Sequence, residues 1–364
     1  MTQGTQPEVP KPRRRRPSGI TILVLLATLY TLYFARDFLL PVSFAILLDF
    51  LLTPAVRLLH RAHVPRAVGS ALVVLSLIGL GGFGVYQLAG PVQSWVAKAP
   101  AAIETAREAL AKQLRPFERV KRTAEQVETA TAVSSSPKAP VVVIQGPSIF
   151  SRVFGSTQRF LFALIETLIL LFFLLAAGDL FLHKLIKVLP HLQDKLKAIR
   201  IAREVESSVS TYLATIAALN IFEGLVVAGA LALLGMPSPL LWGALVAAFE
   251  FIPYLGAFSL VVILAIAGLG SYPSVGRGLM VPGAFVLINL IQVNVVSPLL
   301  LGHRLALNPV AVFVGLAFWF WIWGVPGAFI GVPLLATLKI CCDHIEALAP
   351  VGEFLGRKEE SAVP

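Results

Sequence analysis

The sequence predicts an all-α fold, a polytopic helical membrane protein, and three observations carry that prediction. The chain is 57% hydrophobic and only 14% charged, with a mean hydropathy of +0.81, which leaves too little polar surface for a soluble fold. Its apolar residues gather into about eight runs of a length suited to hydrocarbon, where a helix needs roughly 20 residues to cross. Third, the tract from Leu234 to Pro333 is almost uncharged yet interrupted repeatedly by Gly and Pro. Lipid supplies no hydrogen bonds, so broken helices persist at that depth only where protein or a water-filled cavity receives their backbone.

Residues 1–19 are polar and Pro-rich and carry Arg13, Arg14, Arg15 and Arg16 directly before the first apolar run, the pattern of a cytoplasmic basic tail. A cleaved signal peptide is the competing reading, but a second apolar run follows at once with no small-residue cleavage pattern between them. Residues 20–89 hold three predicted spans, Ile20 to Phe34, Phe38 to Leu59 and Ala67 to Leu88. Residues 90–159 form the one sizeable polar insertion. Within it Ile103, Ala106, Leu110, Leu114, Phe117 and Val120 recur at spacings of three and four, one stripe of a helix that needs a partner. Packing on a neighbouring helix or subunit is one reading, and an amphipathic helix lying on the lipid surface is the other. A Ser134 to Pro137 turn and a β-prone Val141 to Ile144 segment precede a fourth span at 160–178. A basic cytoplasmic loop at 179–206 leads into a C-terminal bundle at 207–342, with spans at Val209 to Leu234, Leu240 to Leu269, Leu279 to Leu301 and Val310 to Ile340, and a tail at 343–364. The second and fourth of these are too long to cross straight and contain Pro253 and Pro326, so each is expected to break into a kinked helix or a re-entrant hairpin.

The net charge of +10 sits largely in short segments beside apolar runs, so it reads as topology and not as a nucleic-acid footprint. Arg57, Arg61 and Arg66, then Lys184 to Arg203, fall on the side of the N-terminal arginines, placing both termini in the cytoplasm and 90–159 outside. With eight single crossings His303 and Arg304 would lie outside as an exception. Enzymatic signatures are thin. No phosphate loop, HExxH or GxSxG is present, the glycines at Gly79 to Gly84 lie in an apolar span where they suit close helix packing, and Cys341 and Cys342 are adjacent, which suits neither a disulfide framework nor a CxxC metal site. No metal site, cofactor or enzymatic activity is expected.

What remains are carboxylates and amides at membrane depth. Asp49, Glu166, Glu223 and Glu250 would each cost roughly 2.5–3.5 kcal/mol at a helix centre, so they should face protein or water. Asn220, three residues before Glu223, could simply pair with it on one helix face. Glu250 stands immediately before the helix break, and Asn289 and Gln292 share an arc of the following helix with Ser297, with Asn294 close by. These residues, Glu250, Asn289, Gln292, Asn294, Glu223 and Asn220, are the candidate solute or ion ligands. Pro253, Gly256, Pro326 and Gly327 are the candidate breaks that free backbone groups.

The break at Glu250 reads Glu-Phe-Ile-Pro-Tyr-Leu-Gly, and it resembles the Asn-Phe-Ile-Pro-Tyr-Ile-Gly motif of the autoinducer-2 exporter family, the PerM-like bacterial membrane proteins. The resemblance extends through Gly235 to Pro239, Ser297-Pro298, Asn308-Pro309 and Gly324-Val325-Pro326-Gly327 to Gly331-Val332-Pro333. It implies a multi-pass protein of the bacterial inner membrane that exports a small polar solute such as autoinducer-2. The transporter is expected to be a homo-oligomer in the lipid bilayer; some family members exchange sodium or lithium for protons, which makes an antiporter the alternative, and a non-transporting oligomeric scaffold is a third reading. The resemblance also marks a departure. Asn is usual at the position of Glu250 and an acid is common at that of Gln292, so acid and amide look exchanged, which preserves one carboxylate if both positions border one cavity; two unrelated drifts are the alternative. Beside the resemblance, Pro237 and Gly243 match Pro309 and Gly315 at an offset of 72, and Gly256-Ala257-Phe258 matches Gly327-Ala328-Phe329 at an offset of 71. Paired interrupted segments of this kind point to a transporter binding site between them.

Overall fold

The computed structural model describes residues 19–128, 149–188, 191–301 and 307–356, and among them the fold is helical. The expected spans are present as α1 (Gly19–Phe34), α2 (Arg36–Arg61), α3 (Arg66–Glu128), α4 (Ile149–Ala177), α5 (Leu180–Val188), α6 (Leu192–Leu233), α7 (Pro239–Phe249), α8 (Leu255–Ser271), α9 (Val275–Ile291), α10 (Ser297–Leu301), α11 (Pro309–His344) and α12 (Ala349–Leu355). A π-helical turn, Gln292–Val296, joins α9 to α10. Six of the described helices are long and apolar enough to cross a membrane, but α11 does not use its length that way.

Two predicted breaks are hairpins. Residues 250–254 leave the helix, and α7 and α8 fold back on each other, with the Tyr272 hydroxyl after α8 donating to the Leu234 carbonyl before α7 at 2.9 Å. Both arms therefore start and finish at the end of the bundle where α6 finishes. In α11, Gly324 has φ 67° and ψ −150°, a conformation reserved for glycine, and the helix doubles back there. A straight helix would set Gly315 and Leu335 about 30 Å apart, yet a Cβ on Gly315 would overlap the Leu335 side chain, and Gly331 packs on Leu316 and Trp319. This second hairpin opens at the other end of the bundle. Its ends are held there by Asn308 N–H donating to the Leu355 carbonyl at 2.9 Å and by His344 against Glu204 near the start of α6 at 3.3 Å.

The sequence offset of 71–72 corresponds to equivalent positions in the two hairpins. Each hairpin starts near its proline, and Gly256 and Gly327 follow the two turns. A Cβ on Gly256 would overlap the Phe249 carbonyl and one on Gly327 the Trp319 carbonyl, each in the arm that precedes the turn. The glycines let the arms close. The hairpins meet where Phe251 stacks on Phe329, ring centroids 4.9 Å apart, and Tyr254 lies edge-on to Phe313 at 6.4 Å.

Several expectations need correction. The hairpins change the crossing arithmetic, because Leu301 and Leu307 are carried to the end of the bundle that holds Glu204 and His344. His303 and Arg304, the expected exception, lie outside the described residues. The boundary at 89/90 is not an element boundary, since α3 runs through it for 63 residues. Residues 179–206 are mostly helical, α5 and the start of α6. Gly79, Gly81, Gly82 and Gly84 meet nothing within 4 Å among the described residues. The stripe on α3 is partnered in part. Ala102 is buried against Gly270 of α8, whereas the side chains of Leu110, Leu114, Phe117 and Val120 and the segments Ser134 to Pro137 and Val141 to Ile144 lie outside the described residues.

Among the described residues, apolar clusters hold the bundle together. Val227, Leu231, Trp242, Leu264 and Phe285 pack α6, α7, α8 and α9 together. Val209, Ile322 and Ile330 join α6 to the second hairpin, and Val56, Val74 and Leu171 join α2, α3 and α4.

Candidate functional site

The first hairpin is pressed onto α6 by two glycines. A Cβ on Gly224 would overlap the Gly243 carbonyl, and one on Gly243 the Gly224 carbonyl. This close approach, one residue from Glu223, brings the turn at Glu250 against the C-terminal half of α6. Glu223 is 1% exposed and Asn220 2% exposed. Asn289 of α9 closes the third side, its Nδ2 donating to Glu223 Oε1 at 3.0 Å. The same amide faces Glu250, whose carboxylate lies within electrostatic reach of that of Glu223. Three elements thus bring two carboxylates and one amide together at the hairpin turn.

The pairing expected between Asn220 and Glu223 is not what forms. In the orientation that satisfies both its groups, the Asn220 amide donates to the Ile216 carbonyl and accepts from Phe251 N–H, both at 3.2 Å. Asn220 therefore ties α6 to the backbone freed by the break, and Glu223 is left for Asn289. The accounting stays incomplete, because Glu223 Oε2 and Glu250 Oε1 are both buried without a hydrogen-bond partner among the described residues. Buried carboxylate oxygens in that state call for a proton, a cation or a donor group from outside the chain.

The remaining candidates divide. Gln292 is buried at 9% exposure and opens the π-helical turn, one helical turn beyond Asn289. Asn294 is exposed and donates to the Leu290 carbonyl of its own helix at 2.8 Å, so it is not part of the cluster. The π turn adds a residue to the register, which is why a face drawn at constant helical spacing fails beyond Gln292. Pro253 lies within the first turn and Gly256 follows it, and Pro326 and Gly327 follow the reversal at Gly324. Tyr254 at the first turn has φ 63°, unusual for a bulky residue and of a kind that collects at functional sites. Glu166 is half-buried on α4 and contributes nothing to this site.

Asp49 belongs to a second cluster that sequence reasoning missed. It lies near Thr53 and among the charges of Glu206, Arg66 and Arg57. Arg57 is ion-paired with Glu206 across α2 and α6, and Arg66 Nε donates to the Leu175 carbonyl at the end of α4 at 3.3 Å. The basic residues were legible as topology, but only the fold shows that they tie α2 to α6 and α3 to α4. Among the described residues no three His, Cys, Asp or Glu converge as ligands of one metal ion.

Comparison with known proteins agrees with this architecture. The sequence profile described as AI-2E family transporter matches residues 22–347. The AI-2 transport protein TqsA of Escherichia coli K12 is 25% identical over 350 residues, covering 90% of this chain and 93% of that one. YueF of Bacillus subtilis is 25% identical over 89% of this chain and 88% of its own. A Borreliella burgdorferi protein is 28% identical over 210 residues, a match of 57% of this chain and 58% of that one. The chain belongs to the AI-2E transporter family, and is on that ground a multi-pass membrane transport protein.

Proposed function

We propose that this AI-2E family member moves a small polar solute, of the autoinducer-2 type, across the bacterial cytoplasmic membrane by secondary transport, with Glu223, Glu250 and Asn289 at the first hairpin turn as its site. The observation that carries the reading is the pair of buried carboxylate oxygens without partners, on two different elements, at a break in the membrane helices. A solute hydroxyl would supply the missing donors. Asn220, buried and bonded to Phe251 N–H of the same turn, and Gln292, buried one helical turn beyond Asn289, are further hydrogen-bonding groups. The hairpins open at opposite ends and meet at their aromatic residues, which supports access to the site from either side in turn. The relative named for AI-2 transport supports the solute class. Both termini lie in the cytoplasm and 90–159 outside, because Arg57, Arg66, Lys195 and Lys339 then fall on one side.

One observation favours coupling to a cation as well. The cluster holds more acceptors than donors, two carboxylates to one amide donor, and two opposed like charges are tolerable at depth only with a proton or monovalent cation between them. A sodium or lithium/proton antiporter is therefore the second reading. The test is flux into proteoliposomes, for the solute and for sodium against a proton gradient. Glu250→Gln at unchanged oligomeric state is expected to abolish transport. Equal flux from wild type and variant would leave a non-transporting scaffold, assembled as a homo-oligomer, as the better account.

A further inference from the structure

We infer that the cleft between α3 and α8, remote from the carboxylate cluster, is a binding site for an anionic phospholipid. Two cavities adjoin there and share Trp95 and Ala102. One is an open slot of about 330 Å³ whose walls include Val92, Val96, Ala99, Leu241, Leu245 and Ile263. At about 30 Å³ per water-sized group it accommodates a run of about ten methylenes. The second cavity, about 350 Å³, carries the polar groups of Lys98, Thr105 and Ser271 at its wall. An acyl chain fits the first and a phosphate the second.

Three further observations select a lipid of this charge. The slot is open along α3, where Val92 and Val96 are 41% and 67% exposed, apolar surface that an acyl chain covers without penalty. The junction of the cavities is marked by Trp95 set edge-on to Trp242 at 4.8 Å, with Tyr272 close by on the hairpin. Such aromatic groups settle at headgroup level, which places Lys98 where phosphates lie. Lys98 itself is exposed and makes no ion pair among the described residues, while Glu104 on the same helix is engaged by Arg107 at 3.9 Å. One basic side chain at an anionic lipid surface strengthens binding about fivefold. A lipid seated there touches both α3 and the outgoing arm of the first hairpin, beside the contact of Ala102 with Gly270.

The experiment compares phosphatidylglycerol with phosphatidylcholine of the same chains, added to the detergent-purified protein and read by native mass spectrometry and by thermal stability. The wild type should retain phosphatidylglycerol about fivefold more strongly, and Lys98→Ala should bring the two lipids level while Lys98→Arg keeps the preference. Ala99→Trp, which fills the slot from an exposed helix face, should lower retention of both. Lys195→Ala, at the other end of the bundle, should change nothing. Each variant is first checked for wild-type stability in phosphatidylcholine, and Lys98→Gln replaces any that fails. A phosphatidylglycerol preference that survives Lys98→Ala and Lys98→Gln, or that Lys195→Ala removes equally, would overturn the site. So would protection by glycerol phosphate alone equal to that of the whole lipid, since the slot would then contribute nothing.

Discussion

Glu223 and Asn289 are joined by a hydrogen bond of 3.0 Å, yet one oxygen on each of Glu223 and Glu250 stays buried without a partner. Removing the amide at Asn289→Ala leaves three unmatched acceptors where two were, so we expect a stability loss of about 1–3 kcal/mol together with loss of transport, measured by thermal unfolding and flux on the same preparation. Unchanged stability would mean that the amide is not engaged. Asn220 acts differently. It satisfies the Phe251 N–H freed by the break, and Asn220→Leu should lower stability by about 1–3 kcal/mol while a Ser replacement recovers part of it, because a hydroxyl can still accept. The family pattern adds a third test. If Glu250 and Gln292 border one cavity, Glu250→Asn combined with Gln292→Glu should transport better than the worse single variant, and a double variant no better than that would separate the two positions.

At the scale of elements, the hairpins account for most of the departures from a row of straight spans. Pro253 and Pro326, with their glycines, announced where the helices fail, because neither a missing N–H nor a positive φ can be concealed in a helical pattern. The sequence did not distinguish a kink from a reversal. That choice depends on which surfaces the arms find, Gly243 against Gly224 and Gly315 against Leu335, and contacts between segments far apart leave no local periodicity. The candidate site was legible to a similar degree. Glu250, Glu223 and Asn289 were recognisable as polar groups with no business in lipid, whereas their convergence, the diversion of Asn220 to the Phe251 amide and the exclusion of Asn294 by a π turn follow from tertiary packing. Gly324 provides the sharpest check on the second hairpin. Its φ of 67° with ψ −150° is strained for any residue with a Cβ, so Gly324→Ala should destabilise the protein by about 1–3 kcal/mol. A neutral or stabilising alanine, seen in thermal unfolding, would indicate continuous helix there.

Across the whole molecule, the bundle has two ends with different chemistry. One carries the Arg57–Glu206 ion pair, Arg66 at the end of α4, and His344 beside Glu204; the other carries Trp95, Trp242 and Tyr272. With Cys341 and Cys342 replaced, a cysteine at Thr105 should react with an impermeant reagent on intact cells, and one at Asp194 only after the inner face is opened. The reverse pattern would invert the assignment. The central claim is that the two carboxylates work as one site, and the most direct measurement is solute and cation flux in proteoliposomes for Glu223→Gln, Glu250→Gln and the double variant at matched oligomeric state. Groups that act as a unit are non-additive, so each single variant should lose transport and the double should be no worse than the worse single. Independent, multiplicative losses, or a single variant that transports like the wild type, would contradict a shared site.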